Sequence, residues 1–313
     1  MMFEFSKKSL IQSLPIAAQF AEKGIELSLK REDLIHPVIS GNKFRKLYYN
    51  IQEAQRLNKD TLLTFGGAYS NHILATAGAG AQYGLKTVGV IRGEELGIDL
   101  PKTLANNATL QRASAYGMQL KFVSRSAYQQ KTSDDMLCNL AQKFPGAYII
   151  PEGGTNSLAI KGCKEILDSE TDAYDYICVA MGTGGTISGI IQNAKPHQKV
   201  IGFPALKAKG LEKYIRHEQE TSPNWELIDS YHFGGYAKIT KELITFINNF
   251  KKNTNIPLDP VYTAKTLFGV YDLIANDFFP SRAKILVIHT GGLQGIPGMN
   301  TILQKRGWPR INT

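Results

Sequence analysis

Strand-like and helix-like segments alternate along most of this chain, and that alternation limits its possible folds more than any other feature. Short apolar runs at 61–65, 147–150, 176–180 and 285–288 each lead into a glycine-rich break. Segments with helical periodicity separate these runs, and among them we predict helices over 103–116 and 211–219. Such alternation favours parallel sheets with helices on both faces. We therefore predict an α/β protein with two domains, each an open, mostly parallel sheet flanked by helices.

The composition is typical of a soluble globular protein and suggests its compartment. Of the 313 residues, 43% are hydrophobic and 20% are charged, and no run approaches the ~18 apolar residues of a membrane helix. Residues 1–20 carry charges and no sustained apolar run, so we expect no signal peptide. The three cysteines lack metal-ligand spacing, which predicts reduced thiols, no metal site and a cytoplasmic location.

The formal net charge of +9 raises the question of an anionic partner. Lysines and arginines are spread along the chain without a basic tract, so we expect neither nucleic-acid binding nor a membrane partner. A positive field would suit small anionic substrates and a phosphorylated cofactor.

Two lysines stand at the start of a predicted amphipathic helix that runs to about residue 58. Apolar residues recur at helical spacing from Phe44 onward, and Lys43 and Lys46 lie one turn apart in the first turn. A helix start favours anions, so two cations there suggest that an anion or a neutral amine is needed. Both lysines could equally be solvated surface residues.

The best phosphate-binding candidate lies between the strand at 176–180 and the next helix. It consists of Gly182, Thr183, Gly184, Gly185 and Thr186. Successive backbone N–H groups in a glycine-rich turn, backed by a helix start, can bind an anion. The segment matches neither the P-loop nor the dinucleotide fingerprint, which favours a single phosphate monoester. A purely structural turn is the alternative.

Other polar residues stand at predicted helix starts or next to glycines. Ser70, Asn71 and His72 follow the first break and could hold a carboxylate or a cofactor hydroxyl. Alternatively, Ser70 only caps the helix and His72 belongs to the core. Tyr262, on a turn stiffened by prolines, could stack on a flat ring or give a proton, as could Tyr236. Packed aromatic side chains are the alternative for both.

Taken together, these motifs resemble one family. A lysine after Ser-Gly-Asn, a Ser-Asn-His helix start, the GTGGT loop and an Asp-Pro-Val-Tyr-Thr turn are similar to the pyridoxal-phosphate enzymes of the tryptophan-synthase-β fold. Within that fold, the chain resembles the 1-aminocyclopropane-1-carboxylate (ACC) deaminases and D-cysteine desulfhydrases from about residue 30 to 295. The resemblance implies a larger cofactor-binding domain of residues 1–45 and 156–313, a smaller domain of residues 46–155, and a site in the cleft between them.

The resemblance also implies roles for individual residues. Lys43 would form the Schiff base with pyridoxal phosphate, and Lys46 would help to hold the phosphate. Tyr262 would lie against the cofactor ring. The implied catalytic residues are Lys43, Ser70, Tyr236 and Tyr262. The implied cofactor-binding residues are Lys43, Lys46, Asn71, Gly182, Thr183, Gly184, Gly185, Thr186, Tyr262, Thr263 and Thr290. The implied substrate-binding residues are Ser70, Asn71, His72 and Tyr236. The implied partners are a small amino-acid substrate and a second copy of the chain in a homodimer.

One departure from the family pattern bears on the reaction. ACC deaminases resemble one another in having a glutamate that faces the pyridine nitrogen, where this chain has Thr263. A hydroxyl can hydrogen-bond that nitrogen but cannot keep it protonated as an acid can. The substitution favours D-cysteine desulfhydrase-like elimination over ACC ring opening.

Several alternatives remain open from the sequence. The same cofactor could serve ACC deaminase chemistry, a serine or threonine dehydratase, or an amino-acid racemase. A non-catalytic small-molecule binding protein could retain the fold. A nucleotide-binding oxidoreductase is disfavoured by the poor dinucleotide fingerprint.

Overall fold

Two sheets form the core of the protein in the computed structural model, which describes residues 8–206 and 224–313 together with Gly210, Glu212 and Ile215. The larger sheet has the strand order β1-β2-β10-β7-β8-β9, and the smaller has the order β5-β4-β3-β6. The strands are β1 (Ile11–Ser13), β2 (Glu26–Lys30), β3 (Thr61–Gly67), β4 (Lys86–Arg92), β5 (Gln119–Val123), β6 (Ala147–Ile150), β7 (Tyr176–Met181), β8 (Lys199–Pro204), β9 (Trp225–Leu227) and β10 (Lys284–Ile288).

Every neighbouring strand pair is parallel except β1 with β2, which is antiparallel. Helices flank both sheets. In the described part of the chain they are α1 (Ala18–Glu22), α2 (Asn42–Arg56), α3 (Asn71–Tyr83), α4 (Leu100–Asn106), α5 (Ala108–Ala115), α6 (Arg125–Gln129), α7 (Asp134–Lys143), α8 (Ser157–Lys164), α9 (Gly185–Asn193), α10 (Lys241–Thr254), α11 (Thr263–Ala275) and α12 (Ile296–Lys305). The predicted α/β class with mostly parallel sheets is confirmed.

Alternating side chains on the strands explain why each sheet is covered on both faces. On β7, Cys178 packs with the residues of α10 and α11, whereas Ile177 and Val179 pack with those of α9. On β3, Leu62 packs with α2 and α3, and Leu63 packs with α6 and α7. Such doubly buried strands require helices on either side, which is the arrangement that the sequence predicts.

One predicted helix is interrupted in the structure. The segment expected to be a single helix over 103–116 forms α4 and α5 instead, separated by Asn107. Asn107 has an extended backbone (φ −137°), and its side-chain oxygen accepts the N–H of Leu110, capping α5. An asparagine side chain can compete for backbone hydrogen bonds and so interrupt a helix. The helix predicted over 211–219 lies largely outside the described residues.

The helix α2 connects the two sheets. Its apolar side chains Phe44 and Leu47 pack with Leu62 of the smaller sheet, while Arg45 hydrogen-bonds Glu32, which follows β2 of the larger sheet. The predicted boundary between residues 45 and 46 falls inside this helix and stays a prediction. Among the described residues, no helix combines the length and apolarity that crossing a bilayer requires.

The four predicted glycine-rich breaks all follow the carboxyl ends of parallel strands. They come after β3, β6, β7 and β10. Open parallel sheets place ligands beyond these ends, where helices begin.

Candidate active site

The start of α2 packs directly on the segment that follows β10. Gly41, just before the helix, has φ 62°, and a Cβ at this position would lie 2.0 Å from the carbonyl oxygen of Thr290. Only glycine combines that φ with such a close approach. Asn42 Nδ2 then donates to Thr186 Oγ1 at 2.7 Å. The first turn of α2 is therefore held between the Thr290 segment and the GTGGT loop.

Lys43 and Lys46 point to the same place. Both Nζ atoms donate to the carbonyl oxygen of Gly153, at 3.2 Å and 3.0 Å. Lys46 Nζ also lies 3.0 Å from Thr155 Oγ1 and 3.4 Å from Thr183 Oγ1. In the part of the chain that the structure describes, neither lysine forms a salt bridge with a carboxylate. The two amines thus share neutral oxygen acceptors, so no carboxylate competes with an anion for a positive charge held there.

This arrangement changes the ionisation of both amines. Burial lowers the pKa of Lys43 well below its usual value, and the nearby charge of Lys46 lowers it further. Burial also lowers the pKa of Lys46. Removing a cation from water disfavours its charged form, and a second cation adds to that effect. Lys43 is therefore suited to act as a neutral nucleophile near neutral pH.

The GTGGT loop ends on an open helix start. Gly184 has φ 87° and precedes α9, whose first N–H groups have no side-chain cap. A Cβ at Gly185 would lie 2.8 Å from Thr155 Cγ2 and 3.2 Å from Lys46 Nζ. We call residues 182–186 together with Lys46 the phosphate cradle. It combines backbone N–H groups, threonine hydroxyls and one ammonium. These donors suit a phosphate monoester.

The start of α11 is organised by a carboxylate that the sequence reasoning missed. Asp259 Oδ1 accepts the N–H groups of Val261 and Tyr262 at 3.0 Å and 2.7 Å, and its Oδ2 accepts that of Thr263 at 2.8 Å. Burial raises the pKa of Asp259, and the backbone N–H donors partly oppose that shift. An aspartate followed by proline is a typical signal of an Asx-turn, in which the side chain accepts an N–H two residues on, and it could have identified this role.

Tyr262 and Tyr236 lie together beside the GTGGT loop. A Cβ at Gly182 would be 3.2 Å from Tyr262 Cε1, and the Tyr236 ring meets the Tyr262 ring edge-on with centroids 6.2 Å apart. Burial raises the pKa of Tyr262 well above its usual value, and Tyr236 adds to the shift. Tyr262 therefore stays a neutral phenol that can stack or donate a hydrogen bond.

Thr263, the first residue of α11, lies close to Thr290, which follows β10. Their Oγ1 atoms are 3.5 Å apart, and both residues are buried. Two hydroxyls at this point can hydrogen-bond a ring nitrogen without supplying an acid.

The Ser-Asn-His segment is divided between the site and the core. Ser70 caps α3 by accepting the N–H of Ile73 at 3.4 Å. The Asn71 amide lies against Gly292, where a Cβ would be 2.8 Å from Nδ2. His72 is 1% exposed and hydrogen-bonds Thr64 Oγ1 at 2.9 Å.

His72 therefore lies behind the site and not on its surface. Burial, followed by the charges of Lys43 and Lys46, lowers its pKa well below the usual value, so the imidazole is neutral. The substrate-binding role predicted for His72, like that for Ser70 and Asn71, stays a prediction.

The assembled residues fit pyridoxal phosphate. Lys46 and the GTGGT loop would supply phosphate donors, Lys43 would supply an amine of lowered pKa beside them, and Thr263 with Thr290 would supply hydroxyls for a ring nitrogen. Glycine at position 185 lets Thr155 and Lys46 approach the start of α9, because a Cβ there would meet both side chains. Each assigned role stays a prediction, but the predicted cofactor residues come from five separate segments and lie near the carboxyl ends of strands of the two sheets.

Comparisons with known proteins agree with this geometry. The family model described as "Pyridoxal-phosphate dependent enzyme" matches residues 9–291. A Thermotoga maritima protein, whose name assigns it provisionally to the 1-aminocyclopropane-1-carboxylate deaminases, is 34% identical over 90% of this chain and 95% of its own length. The mitochondrial bifunctional D-cysteine desulfhydrase/1-aminocyclopropane-1-carboxylate deaminase of Arabidopsis thaliana is 33% identical over 87% of this chain and 74% of its own.

A solved structure of an ACC deaminase homologue also superposes on the chain. It has a TM-score of 0.78 and 28% identity, and the match covers 96% of this chain and 94% of that one. Because the family model and these relatives span nearly the whole sequence, the chain belongs to the family of pyridoxal-phosphate dependent enzymes.

Proposed function

We propose that this protein catalyses a D-cysteine desulfhydrase-like α,β-elimination. One cysteine and one water would give pyruvate, ammonia and hydrogen sulfide. The observation that carries this proposal is the identity and setting of Thr263. This residue stands where the resemblance places a glutamate in ACC deaminases, and it is buried with its hydroxyl 3.5 Å from that of Thr290.

The residues around the cofactor site would divide the chemistry among them. Bound pyridoxal phosphate supplies an electron sink for the substrate's α-carbon. Burial and Lys46 lower the pKa of the Lys43 amine, which favours its nucleophilic neutral form, so it would attack a carbonyl and later accept or deliver a proton. Lys46 would balance the phosphate charge. Tyr262, a neutral phenol, would bound the pocket on the side of Gly182.

Thr263 decides between the two reactions named for the relatives. Thr263 has a hydroxyl and no acid group, and the nearby Asp259 carboxylate is engaged by three backbone N–H groups and so would not supply an acid to the site. A hydroxyl leaves a pyridine nitrogen largely unprotonated and the electron sink weaker. Removing an α-proton tolerates a weaker sink better than opening a ring that has no α-proton to lose.

ACC deamination to 2-oxobutyrate and ammonia is the second candidate. The names of the Thermotoga protein and of the solved ACC deaminase homologue favour it, and the Arabidopsis enzyme is named for both reactions. A non-catalytic binding protein of the same fold is the further alternative.

Substrate profiling tests the proposal. We expect pyruvate and sulfide from D-cysteine with a kcat/KM at least about tenfold above that for 2-oxobutyrate from ACC, a difference of about 1.4 kcal/mol in barrier. Thr263→Glu should shift the ratio toward ACC by about tenfold, whereas the control Thr263→Ser, which keeps the hydroxyl, should not. Equal turnover of both substrates by the wild type would contradict the role of Thr263. Binding without any product would support the non-catalytic alternative.

We also propose that the enzyme is a cytoplasmic homodimer that acts on a small amino acid. Support for the compartment comes from the free thiols, of which Cys163 and Cys178 are buried. Support for the dimer comes from the family resemblance. Light scattering of the purified protein and fractionation of cells test these two statements, and a monomer or a membrane-associated pool would contradict them.

A further inference from the structure

A third buried lysine near the site has a different environment from Lys43 and Lys46. Lys265, in the first turn of α11, is 2% exposed. Its ammonium donates to the carbonyl oxygens of His232 and Gly235, both at 2.9 Å, and of Ala205 at 3.4 Å. Burial lowers the pKa of Lys265 to about 8, while the charge of Asp259 opposes the shift. An ammonium has three N–H donors, and three carbonyl acceptors surround this one.

The carbonyls that Lys265 binds belong mainly to an unusual loop. Within residues 232–237, Phe233 has φ 54°, Gly234 φ 92°, Gly235 φ 122° and Ala237 φ 55°. Left-handed backbone is unfavourable for residues with a Cβ and persists only where surrounding contacts determine it. The His232 carbonyl also accepts the N–H of Gly235 at 3.0 Å. Lys265 therefore stabilises the orientation of the carbonyl groups that accept hydrogen bonds in this turn.

The same loop carries Tyr236 into the candidate site. The side chain of Tyr236 is 51% exposed, and its main packing partner there is Tyr262, which it meets edge-on at 6.2 Å. Tyr262 immediately precedes α11, and Lys265 follows three residues later. The start of α11 therefore places Tyr262 directly. Through Lys265 it also holds the backbone of the loop that carries Tyr236.

We propose that Lys265 is a positioning residue of the substrate pocket, which holds loop 232–237 so that Tyr236 faces Tyr262. The inference rests on the proposed function only in that Tyr236 is taken to line the substrate pocket. The hydrogen bonds of Lys265 go to His232, Gly235 and Ala205, and not to Lys43 or the phosphate cradle. We therefore expect its loss to affect substrate binding and to leave cofactor binding unchanged.

Lys265→Met tests this role, because methionine has similar length and no donor. Hydrogen exchange followed by mass spectrometry is measured on the cofactor-loaded enzyme, with peptides that cover 231–238. We expect exchange in this loop to become about tenfold faster while the rest of the protein is unchanged. The matched control is Lys30→Met. Lys30 is another buried lysine, which lies at the end of β2 and pairs with Asp168 at 2.9 Å. Its replacement should leave the loop unchanged.

Kinetics of the same variants test the link to the pocket. Lys265→Met should raise KM about tenfold and change kcat less than about threefold, with an unchanged dissociation constant for pyridoxal phosphate. In a Tyr236→Ala background, Lys265→Met should raise KM no further, because both changes remove the same contact. Additive effects on KM would overturn the proposal, as would faster exchange spread over the whole protein.

Two features keep the test decisive. If Lys265→Met does not fold, Lys265→Gln replaces it. Glutamine is shorter and has two N–H donors for three carbonyls, so loop exchange should still become faster, and unaltered loop exchange in that variant would overturn the proposal. Hydrogen exchange needs no substrate, so the loop result stands even if neither D-cysteine nor ACC is turned over. Failure of the proposed function and failure of this inference are therefore distinguishable.

Discussion

The helices α2 and α11 both begin at the candidate site and both carry lysines near their start, yet the surroundings of these lysines differ. At α2, Lys43 and Lys46 both donate to the carbonyl oxygen of Gly153, and Lys46 also lies within hydrogen-bond distance of two threonine hydroxyls. At α11, the Asp259 carboxylate takes three backbone N–H groups, and Lys265 meets three carbonyls.

This difference separates lysines available for chemistry from a lysine that organises structure. Lys265 has a carbonyl acceptor for each of its three donors and so has none left for a ligand. Lys43 has one carbonyl acceptor, and two of the three acceptors of Lys46 are hydroxyls, which can turn toward a ligand. The charge of Lys46 also lowers the affinity of Lys43 for a proton. The comparison predicts that changes at α2 reduce activity and cofactor affinity, and that changes at α11 reduce stability and pocket geometry.

The largest expected effect comes from removing the amine of Lys43. Lys43→Ala should lower kcat by about a thousandfold or more, because it removes the covalent nucleophile and the neighbouring amine of Lys46 would be occupied by the cofactor phosphate. Borohydride treatment of the cofactor-loaded wild type should add the cofactor's mass to the peptide that contains Lys43. The exposed lysine of Lys252→Ala serves as control and should retain activity. Mass addition at another lysine would break the assignment.

The next effect concerns the phosphate. Lys46→Met should raise the dissociation constant of pyridoxal phosphate about 10- to 100-fold, as expected for loss of a hydrogen bond to a charged group. Titration of the apo enzyme followed by absorbance measures the constant. A change below about twofold would show that the GTGGT loop holds the phosphate without help from Lys46.

At α11 the expected loss is in stability. Asp259→Asn keeps one side-chain oxygen but turns a donor toward one of three backbone N–H groups, which should destabilise the protein by about 2 kcal/mol in urea unfolding. The exposed control Asp229→Asn should stay within about 0.5 kcal/mol of the wild type. Equal stabilities of the two variants would remove the contrast between the two helix starts.

The smallest effect is the pH dependence of the apo enzyme's stability. The folded pKa of Lys43 is lowered, so the unfolded chain binds more protons between that pKa and about 10.4. The stability of the wild type should therefore rise with pH in this window relative to Lys43→Met, by up to about 1.4 kcal/mol per pH unit. Urea unfolding at pH 7, 8 and 9 measures the difference, and parallel curves would mean that Lys43 is not desolvated.

Local patterns were sufficient to predict much of the fold and part of the site. Strand and helix periodicity predicted both sheets, and the Gly-Asn-Lys helix start placed Lys43 and Lys46 in the first turn of α2. They were insufficient for Asn107, where a side-chain cap splits a helix, and for β1 and β9, which are three residues long and too short to show periodicity.

By itself, the sequence determined the fold class, the glycine-rich breaks at strand ends and the family resemblance, because these depend on spacing between neighbouring residues. Only the tertiary structure decided what the buried lysines contact. Gly153 meets Lys43 and Lys46 across more than a hundred residues, and His232 meets Lys265 across 33. Carbonyl acceptors carry no side-chain signature, so no sequence pattern reveals which lysine they satisfy.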